Sequence, residues 1–239
     1  MRACYSPRAV TTAPRPPLAL PDSVPLRAPE GFAARLAEVG AAIDDATLAR
    51  MGDYLARLLA MNEQMNLTAI RSADDAWERH VLDALSLLPL LADVPAGAAL
   101  VDVGSGGGLP GIPLAIARPD LAITLVEATQ KKAAFLGAVS EALQLANVSV
   151  YADRAEELGR DELGETFDVV TARAVGRVKV LAPLLLPFAR PGGLVLLIKG
   201  QRAEEELLEA RATLAKLGAV HEKTVATPTG RVVVLRKRS

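Results

Sequence analysis

Leu100-Val101-Asp102-Val103-Gly104-Ser105-Gly106-Gly107-Gly108-Leu109-Pro110-Gly111 decides the fold. Its first four residues are apolar except for Asp102 and read as a buried strand. The glycines that follow let the backbone turn sharply and let a ligand approach it closely. Pro110 suits the first position of a helix, where its missing N–H costs nothing. The free N–H groups of that helix start are then expected to face whatever fills the turn.

Downstream, strands and helices alternate. Strands are predicted at 99–103, 122–127, 148–152, 167–172 and 193–199, with helices at about 110–118, 130–145, 154–160 and 178–188. Pro119 stops the first helix, and Phe135, Val139, Ala142 and Leu143 give the second an inward face. This alternation predicts a parallel α/β sheet covered on both sides. A charged helix at about 202–217 ends at Gly218. Two strands, 219–226 and 231–237, then flank Thr227-Pro228-Thr229-Gly230, which reads as a hairpin.

Upstream, residues 1–30 hold seven of the 16 prolines and show no periodicity, so they read as a disordered tail. Residues 31–97 read as helical and packed on a domain at 98–239. Phe32, Leu36 and Val39 share one face, and Leu48, Met51, Leu55, Leu58 and Leu59 form a longer stripe. A third segment, from Ala73 to Leu91, carries Trp77, Val81, Leu82, Leu85 and Leu88. The polar stretch Asn62 to Arg71 lies before it.

Composition narrows the function. Of 239 residues, 51% are hydrophobic, enough for a substantial core, while aromatics make up 3%. The net charge of -1 argues against a general nucleic-acid coat protein. A single cysteine, Cys4, leaves no intramolecular disulfide and no cysteine-based metal site. His80 and His221 do not form a metal-ligand pair by spacing, so no metal is expected. No apolar run reaches the ~18 residues of a membrane span, and no compact signal core stands at the start, which predicts a cytoplasmic protein with no membrane partner.

The glycine turn admits two readings. Gly106, Gly108 and Gly111 satisfy G-x-G-x-x-G, a dinucleotide fingerprint. Asp102-x-Gly104-x-Gly106-x-Gly108 resembles the first motif of class I S-adenosylmethionine-dependent methyltransferases. An acid beside the turn suits a cationic methionine and suits a pyrophosphate badly. Glu127 ends the second strand, where an acid can accept hydrogen bonds from a ribose in either kind of site. Asp153-Arg154-Ala155-Glu156 follows the third strand. Arg173 ends the fourth, at the crevice where ligands of such sheets bind. No Asp/Asn-Pro-Pro-aromatic sequence follows that strand, so the usual clamp for adenine amino methylation is missing. The thiol in the tail leaves no covalent attack on a pyrimidine. The closing hairpin suits a methyltransferase, and no residues remain for the substrate domain of a nicotinamide-dependent oxidoreductase.

Five pieces of the chain resemble the RsmG family, ribosomal RNA small subunit methyltransferase G, also called glucose-inhibited division protein B. They are Asn66-Leu67-Thr68-Ala69-Ile70, His80-Val81-Leu82-Asp83-Ala84-Leu85, the glycine turn through Leu109-Pro110-Gly111-Ile112-Pro113, Arg173-Ala174-Val175, and Leu197-Ile198-Lys199-Gly200. The similarity runs from about Ala46 to Lys237. The resemblance implies a class I, Rossmann-like methyltransferase fold. The implied reaction is methylation of guanine N7 in bacterial 16S rRNA, with S-adenosyl-L-methionine as cofactor and the small ribosomal subunit as partner. It places the cofactor against Gly104, Leu109, Glu127, Ala128, Thr129, Ala155, Glu156 and Arg173, beside the motif residues Asp102 and Gly106. Two positions depart from the family: Ala84 stands where serine is common, and Met61 where an aromatic is common.

Guanine N7 carries a free lone pair, so methylation there needs no general base. Arg173 is expected to hold the base or a phosphate, Lys199 a phosphate, and Asn66 and His80 to line the same crevice. Arg71, Arg79, Arg173, Arg177, Lys179, Lys199 and Arg202 are expected on one rim, with Arg236-Lys237-Arg238 nearby. Glu204-Glu205-Glu206 is expected to face away. A monomer is the default. The rival readings are a small-molecule methyltransferase with the same cofactor and a non-catalytic rRNA-binding assembly factor.

Overall fold

Five residues in a row at β1 (Ala99–Val103), all apolar but Asp102, are buried, which requires cover on both faces of the strand. The computed structural model describes residues 18–173 and 176–238. Cys4, Ala174 and Val175 lie outside the described residues. Around β1 stand β2 (Ala122–Val126), β3 (Val148–Tyr151), β4 (Phe167–Arg173), β5 (Ala189–Lys199), β6 (Ala219–Ala226) and β7 (Arg231–Lys237). They form one seven-stranded sheet in the order β3-β2-β1-β4-β5-β7-β6. β1 pairs in parallel with both β2 and β4. β7 is inserted antiparallel between β5 and β6, with Ile198 opposite Val232. The order reverses direction between β1 and β4, so the crevice for a ligand opens there, at the carboxyl ends of the strands.

Period-two alternation splits the core into two layers. Leu100, Ile123, Leu125, Val169, Leu196 and Ile198 face one layer. Val101, Val103, Val170, Ala172, Val195 and Leu197 face the other. Phe167 breaks the alternation with Val169 because the β4–β5 register shifts between them, which turns Phe167 onto the second layer against Phe188. That layer is covered by α7 (Ala155–Leu158), α8 (Val178–Leu185) and α9 (Ala203–Lys216).

The first layer is covered by α5 (Gly111–Ala117), α6 (Gln130–Ala142) and the N-terminal helices. These are α1 (Phe32–Glu38) and α2 (Asp45–Met65), then one irregular stretch. That stretch consists of α3 (Ala73–Ala76), a π-helical turn Trp77–Leu82 and α4 (Asp83–Leu85). Asp44 caps α2 by accepting the Thr47 N–H at 2.7 Å. Trp77 meets Phe32 edge-on at 5.0 Å. N-terminal helices and sheet thus share one continuous apolar cluster.

Three sequence expectations are corrected here. Pro110 stands just before α5 rather than inside it, and Gly111 is the first helical residue. β5 begins at Ala189, not 193, because Ala189 pairs with Phe167 across the register shift. Residues 18–30, expected to be disordered, are seated: Leu18, Leu20, Leu26 and Ala28 pack on the first layer, and the Leu26 N–H donates to the Gly52 carbonyl at 3.1 Å. The apolar residues spaced between the prolines find a groove that composition cannot reveal.

Gly52 is where this segment crosses α2. A Cβ built there would lie 2.0 Å from the Leu26 carbonyl oxygen. Gly52→Ala should therefore push the segment off the helix and cost about 1–3 kcal/mol, read as a lower urea midpoint. An unchanged midpoint would mean that the segment shifts freely.

Candidate active site

The turn after β1 has an open side and a packed side. Gly104, Gly106 and Gly108 have φ of 74°, 57° and 98°, a region other residues rarely adopt. A Cβ at Gly104 would meet nothing within 4 Å, and one at Gly106 would meet only the Gly104 carbonyl at 3.9 Å. On the packed side, a Cβ at Gly107 would strike Leu58 at 2.7 Å, and one at Gly111 would strike Leu125 at 2.3 Å. The open side is a cradle beside the switch point between β1 and β4.

Hydrogen bonds fix the turn from three directions. The Gly104 and Ser105 N–H groups donate to Val126 O at 2.8 and 3.1 Å. Gly106 N–H donates to Glu127 Oε2 at 2.9 Å, while Glu127 Oε1 accepts the Thr129 N–H at 2.8 Å. The Tyr54 hydroxyl, on α2, donates to Gly107 O at 2.7 Å. Tyr54 is fully buried, which pushes its pKa up.

Asp102 lies beneath the turn, with no exposed surface. Its Oδ2 accepts the Gly111 N–H at 3.0 Å. Burial raises its pKa to about 7, against the opposing pull of Gly111, Ser105, Arg173 and Thr171. Two expectations change. The first N–H of α5 is taken by the protein itself, and the Ile112 N–H by Gly108 O. Asp102, with no exposed surface and an oxygen on Gly111 N–H, holds the turn from beneath and offers no face to a ligand.

The other cofactor-side candidates gather at neighbouring strand ends. Ala128 and Thr129 are exposed after Glu127, Leu109 is buried behind the turn, and Ala155 and Glu156 open α7 after β3.

Arg173 reaches the same crevice from the end of β4. Its Nη1 donates to Arg79 O at 2.6 Å and lies 2.9 Å from His80 Nδ1. Burial lowers its pKa, opposed by Tyr54, Asp83 and Asp102. His80 is 1% exposed, and burial together with Arg173 takes its pKa down to about 4. Asp83 is pushed up to about 6 by burial, and the Thr229 hydroxyl of the β6–β7 turn donates to it.

The remaining candidates do not all converge. Asn66 is exposed and ends α2 in the left-handed region, φ 52°. The buried amide of this stretch is Asn62, whose Oδ1 accepts the Thr68 N–H at 2.9 Å. Lys199 is buried, pairs with Glu206 at 2.9 Å and donates to Gly176 O. It is therefore committed inside the protein and does not hold a phosphate at the rim. Glu206 correspondingly turns inward, also accepting the Val178 N–H, instead of facing away.

The expected rim is also redrawn. Arg71 and Arg177 pair with Glu63 and Glu209. Arg236 and Lys237 lie beside Leu194 and Ala219, at the end of the sheet opposite the crevice. Arg79, Lys131, Lys132, Arg154 and Lys179 form no ion pair among the described residues and follow the carboxyl-end loops or the π-helical turn. Tyr54, Asn62 and Asp83 were not singled out from sequence. Asn62 stood in the noted polar stretch, and Asp83 in a quoted motif. Tyr54 carried no signal.

A family model described as rRNA small subunit methyltransferase G matches residues 47–234. A protein of that name from Sorangium cellulosum is 65% identical over 223 residues, 93% of each chain. One from Lactobacillus delbrueckii subsp. bulgaricus is 40% identical over 192 residues, 80% of each chain. A SAM-dependent methyltransferase from Aquifex aeolicus superposes with a TM-score of 0.53 at 16% identity, over 68% of this chain and 93% of that one, and so shares the fold.

Asp102 titrates higher in the folded chain than unfolded, so the folded state holds its proton longer, and stability falls as pH rises from about 4 to about 7. Asp102→Asn keeps an acceptor for Gly111 and removes this loss. Unfolding free energies measured by urea should therefore shift in favour of the variant across that window and run parallel outside it. Parallel curves throughout would place the Asp102 pKa at its ordinary value.

Proposed function

The chain belongs to the rRNA small subunit methyltransferase G family, and on that premise we propose that it transfers a methyl group from S-adenosyl-L-methionine to N7 of one guanine in bacterial 16S rRNA. The observation that carries this reading is the open glycine cradle at the switch point, with Glu127 at its edge and Arg173 at the same strand ends.

The residues fit this cofactor. A Cβ at Gly104 would project into open space, so the glycine there leaves room against the backbone. Glu127 uses one hydrogen bond per carboxylate oxygen for Gly106 and Thr129, which leaves lone pairs for a ribose diol. Ala128, Thr129, Ala155 and Glu156 stand at the neighbouring strand ends, Leu109 backs the turn, and Asp102 lies beneath it. When bound, the cofactor supplies an electrophilic methyl on a sulfonium.

The rest falls to the protein as positioning. N7 of guanine is already an unprotonated nucleophile, so no side chain has to remove a proton. His80, the histidine nearest the crevice, is held neutral and turned onto Arg173. Arg173 brings a cation to the crevice and holds the acceptor base or an adjoining phosphate there. Fixing two reactants in line can contribute about 7–11 kcal/mol in favourable cases.

Arg79, Lys131, Lys132, Arg154 and Lys179 contact rRNA phosphates around this opening. With a net charge of -1 the attraction is local, not global. The 3% aromatic content supplies few stacking platforms for a long single strand. The favoured substrate is therefore RNA folded within a small-subunit particle, met by a monomer in the cytoplasm. Among the described residues no helix is long and apolar enough to cross a membrane, and no group of His, Cys, Asp and Glu is placed to hold a metal.

The test is transfer of labelled methyl groups from S-adenosylmethionine to small subunits purified from a strain lacking this protein. One 7-methylguanine in 16S rRNA is expected. Cofactor binding with no transfer to subunits or naked rRNA would favour a small-molecule enzyme or a non-catalytic factor. Arg173→Ala should fold and lose most of the transfer. Removing Lys131 or Arg154 should weaken rRNA binding and lower its salt slope by about 1 for each charge.

A further inference from the structure

A guanidinium carries five N–H donors and no acceptor. Nδ1 of His80 lies 3.0 Å from Arg79 O and 2.9 Å from Arg173 Nη1, so a protonated Nδ1 would donate to the carbonyl, whereas a hydrogen bond from Arg173 requires a bare lone pair on Nδ1. In the second arrangement, the one that engages Arg173, the ring proton sits on Nε2. There it finds Thr68 Oγ1 at 2.9 Å, which can accept it. Thr68 Oγ1 also accepts the Ile70 N–H at 3.1 Å, and the Thr68 N–H is held by Asn62 Oδ1. The chain Asn62–Thr68–His80–Arg173 thus runs from the end of α2 to the end of β4 with one consistent direction of donation.

Nη1 meets both acceptors of this turn, Arg79 O and His80 Nδ1. Nε and Nη2 are left to face other groups. Arg79 and His80 are consecutive residues of the π-helical turn Trp77–Leu82. Such widened turns recur at functional sites, and this one brings a carbonyl and an imidazole to the same guanidinium nitrogen.

We propose that His80 is a positioning residue: its neutral, Nε2-protonated ring, anchored on Thr68, holds Arg173 in the orientation that presents its remaining N–H groups to the methyl acceptor. This deepens the functional reading above and rests on it. Burial and the neighbouring cation both favour the neutral ring and outweigh the Arg79 carbonyl, which favours a proton on it, in keeping with a pKa near 4. A protonated ring would bring a second cation against Arg173 and lose the lone pair that receives it. The N-terminal helices therefore contribute to the reaction through a residue that need not touch the substrate.

The test compares His80→Leu with His80→Asn, whose side-chain oxygen stands near the place of Nδ1. With small ribosomal subunits as substrate, His80→Leu should lower kcat about a hundredfold, the scale of a misplaced reacting group. Its S-adenosylmethionine Kd should stay close to wild type, and its urea midpoint should fall, because Arg173 loses a hydrogen-bond partner. His80→Asn should recover most of that loss. In an Arg173→Lys background, His80→Leu should add little further loss, because the group it orients is already gone.

Full kcat in His80→Leu overturns the proposal, and so does equal loss in both His80 variants or full additivity with Arg173→Lys. Nitrogen NMR of His80 gives a readout independent of activity. Nε2 protonated and Nδ1 bare at pH 7 is expected, and a protonated Nδ1 overturns the latch. Should the wild-type protein methylate no RNA, the substrate reading is what fails, and the ring tautomer still decides the role of His80. Should His80→Leu not fold, His80→Asn and the tautomer carry the test.

Discussion

The clamp on the glycine turn is the constraint on which the rest of the structure depends. Left-handed backbone at Gly104, Gly106 and Gly108 leaves the N–H and C=O groups of the turn pointing outside any regular ladder. Each must find a partner, since an unpaired buried group costs free energy. Val126 O, Glu127, Asp102 and Tyr54 are those partners. They come from β2, from β1 itself and from α2. The turn is consequently shaped by the sheet below and by the N-terminal helices above. Those helices are part of the fold's central constraint, and their shared apolar cluster with the sheet gives the clamp a rigid frame.

The crevice is also a problem in buried charge. Arg173 stands near Asp102, Asp83 and Tyr54, and the two acids are both raised toward neutrality by burial. A cation in such a place is tolerable when its hydrogens are satisfied and acids lie close. Arg79 O and His80 supply the hydrogen bonds, and the two acids supply the field. Lys199 illustrates the opposite outcome. Its ammonium, at the end of the next strand, is neutralised by Glu206 and so takes no part in the open site. Position at a strand end is thus not enough to make a cation functional. What matters is whether a neighbouring element brings an acid to it.

The same sorting operates on the surface. Nearly equal numbers of cations and acids, 27 and 28, give almost no net charge. Many of them pair locally, such as Arg177 with Glu209 and Arg236 with Glu222. The cations around the crevice loops that stay unpaired among the described residues are Arg79, Lys131, Lys132, Arg154 and Lys179. A neutral chain can thereby carry a basic face, and salt screening acts on that face rather than on the whole molecule.

Much of the fold was legible because it rests on local rules. The apolar run of Leu100 to Val103, the alternation of strands and helices, and the Thr227–Gly230 turn identify a parallel sheet closed by a hairpin. Each rule operates within a few residues. The glycine spacing likewise located the cradle, and Glu127 and Arg173 were legible as strand-end residues. Partnerships were not legible, because they join residues far apart in the chain. Tyr54 reaches Gly107 across 53 positions, and Arg173 reaches His80 across 93. Lys199 looked free because nothing in its own segment shows that Glu206 will turn back one helical turn later. Residues 18–30 looked disordered because composition reports the prolines, while the groove that seats Leu26 exists only after α2 has packed. The sequence by itself determined which backbone segments form and where the turn lies, since those follow from local sterics and hydrophobic period. The tertiary structure alone decided which polar groups are spent within the protein and which remain for a ligand, since burial and hydrogen-bond partners arise only when distant segments meet.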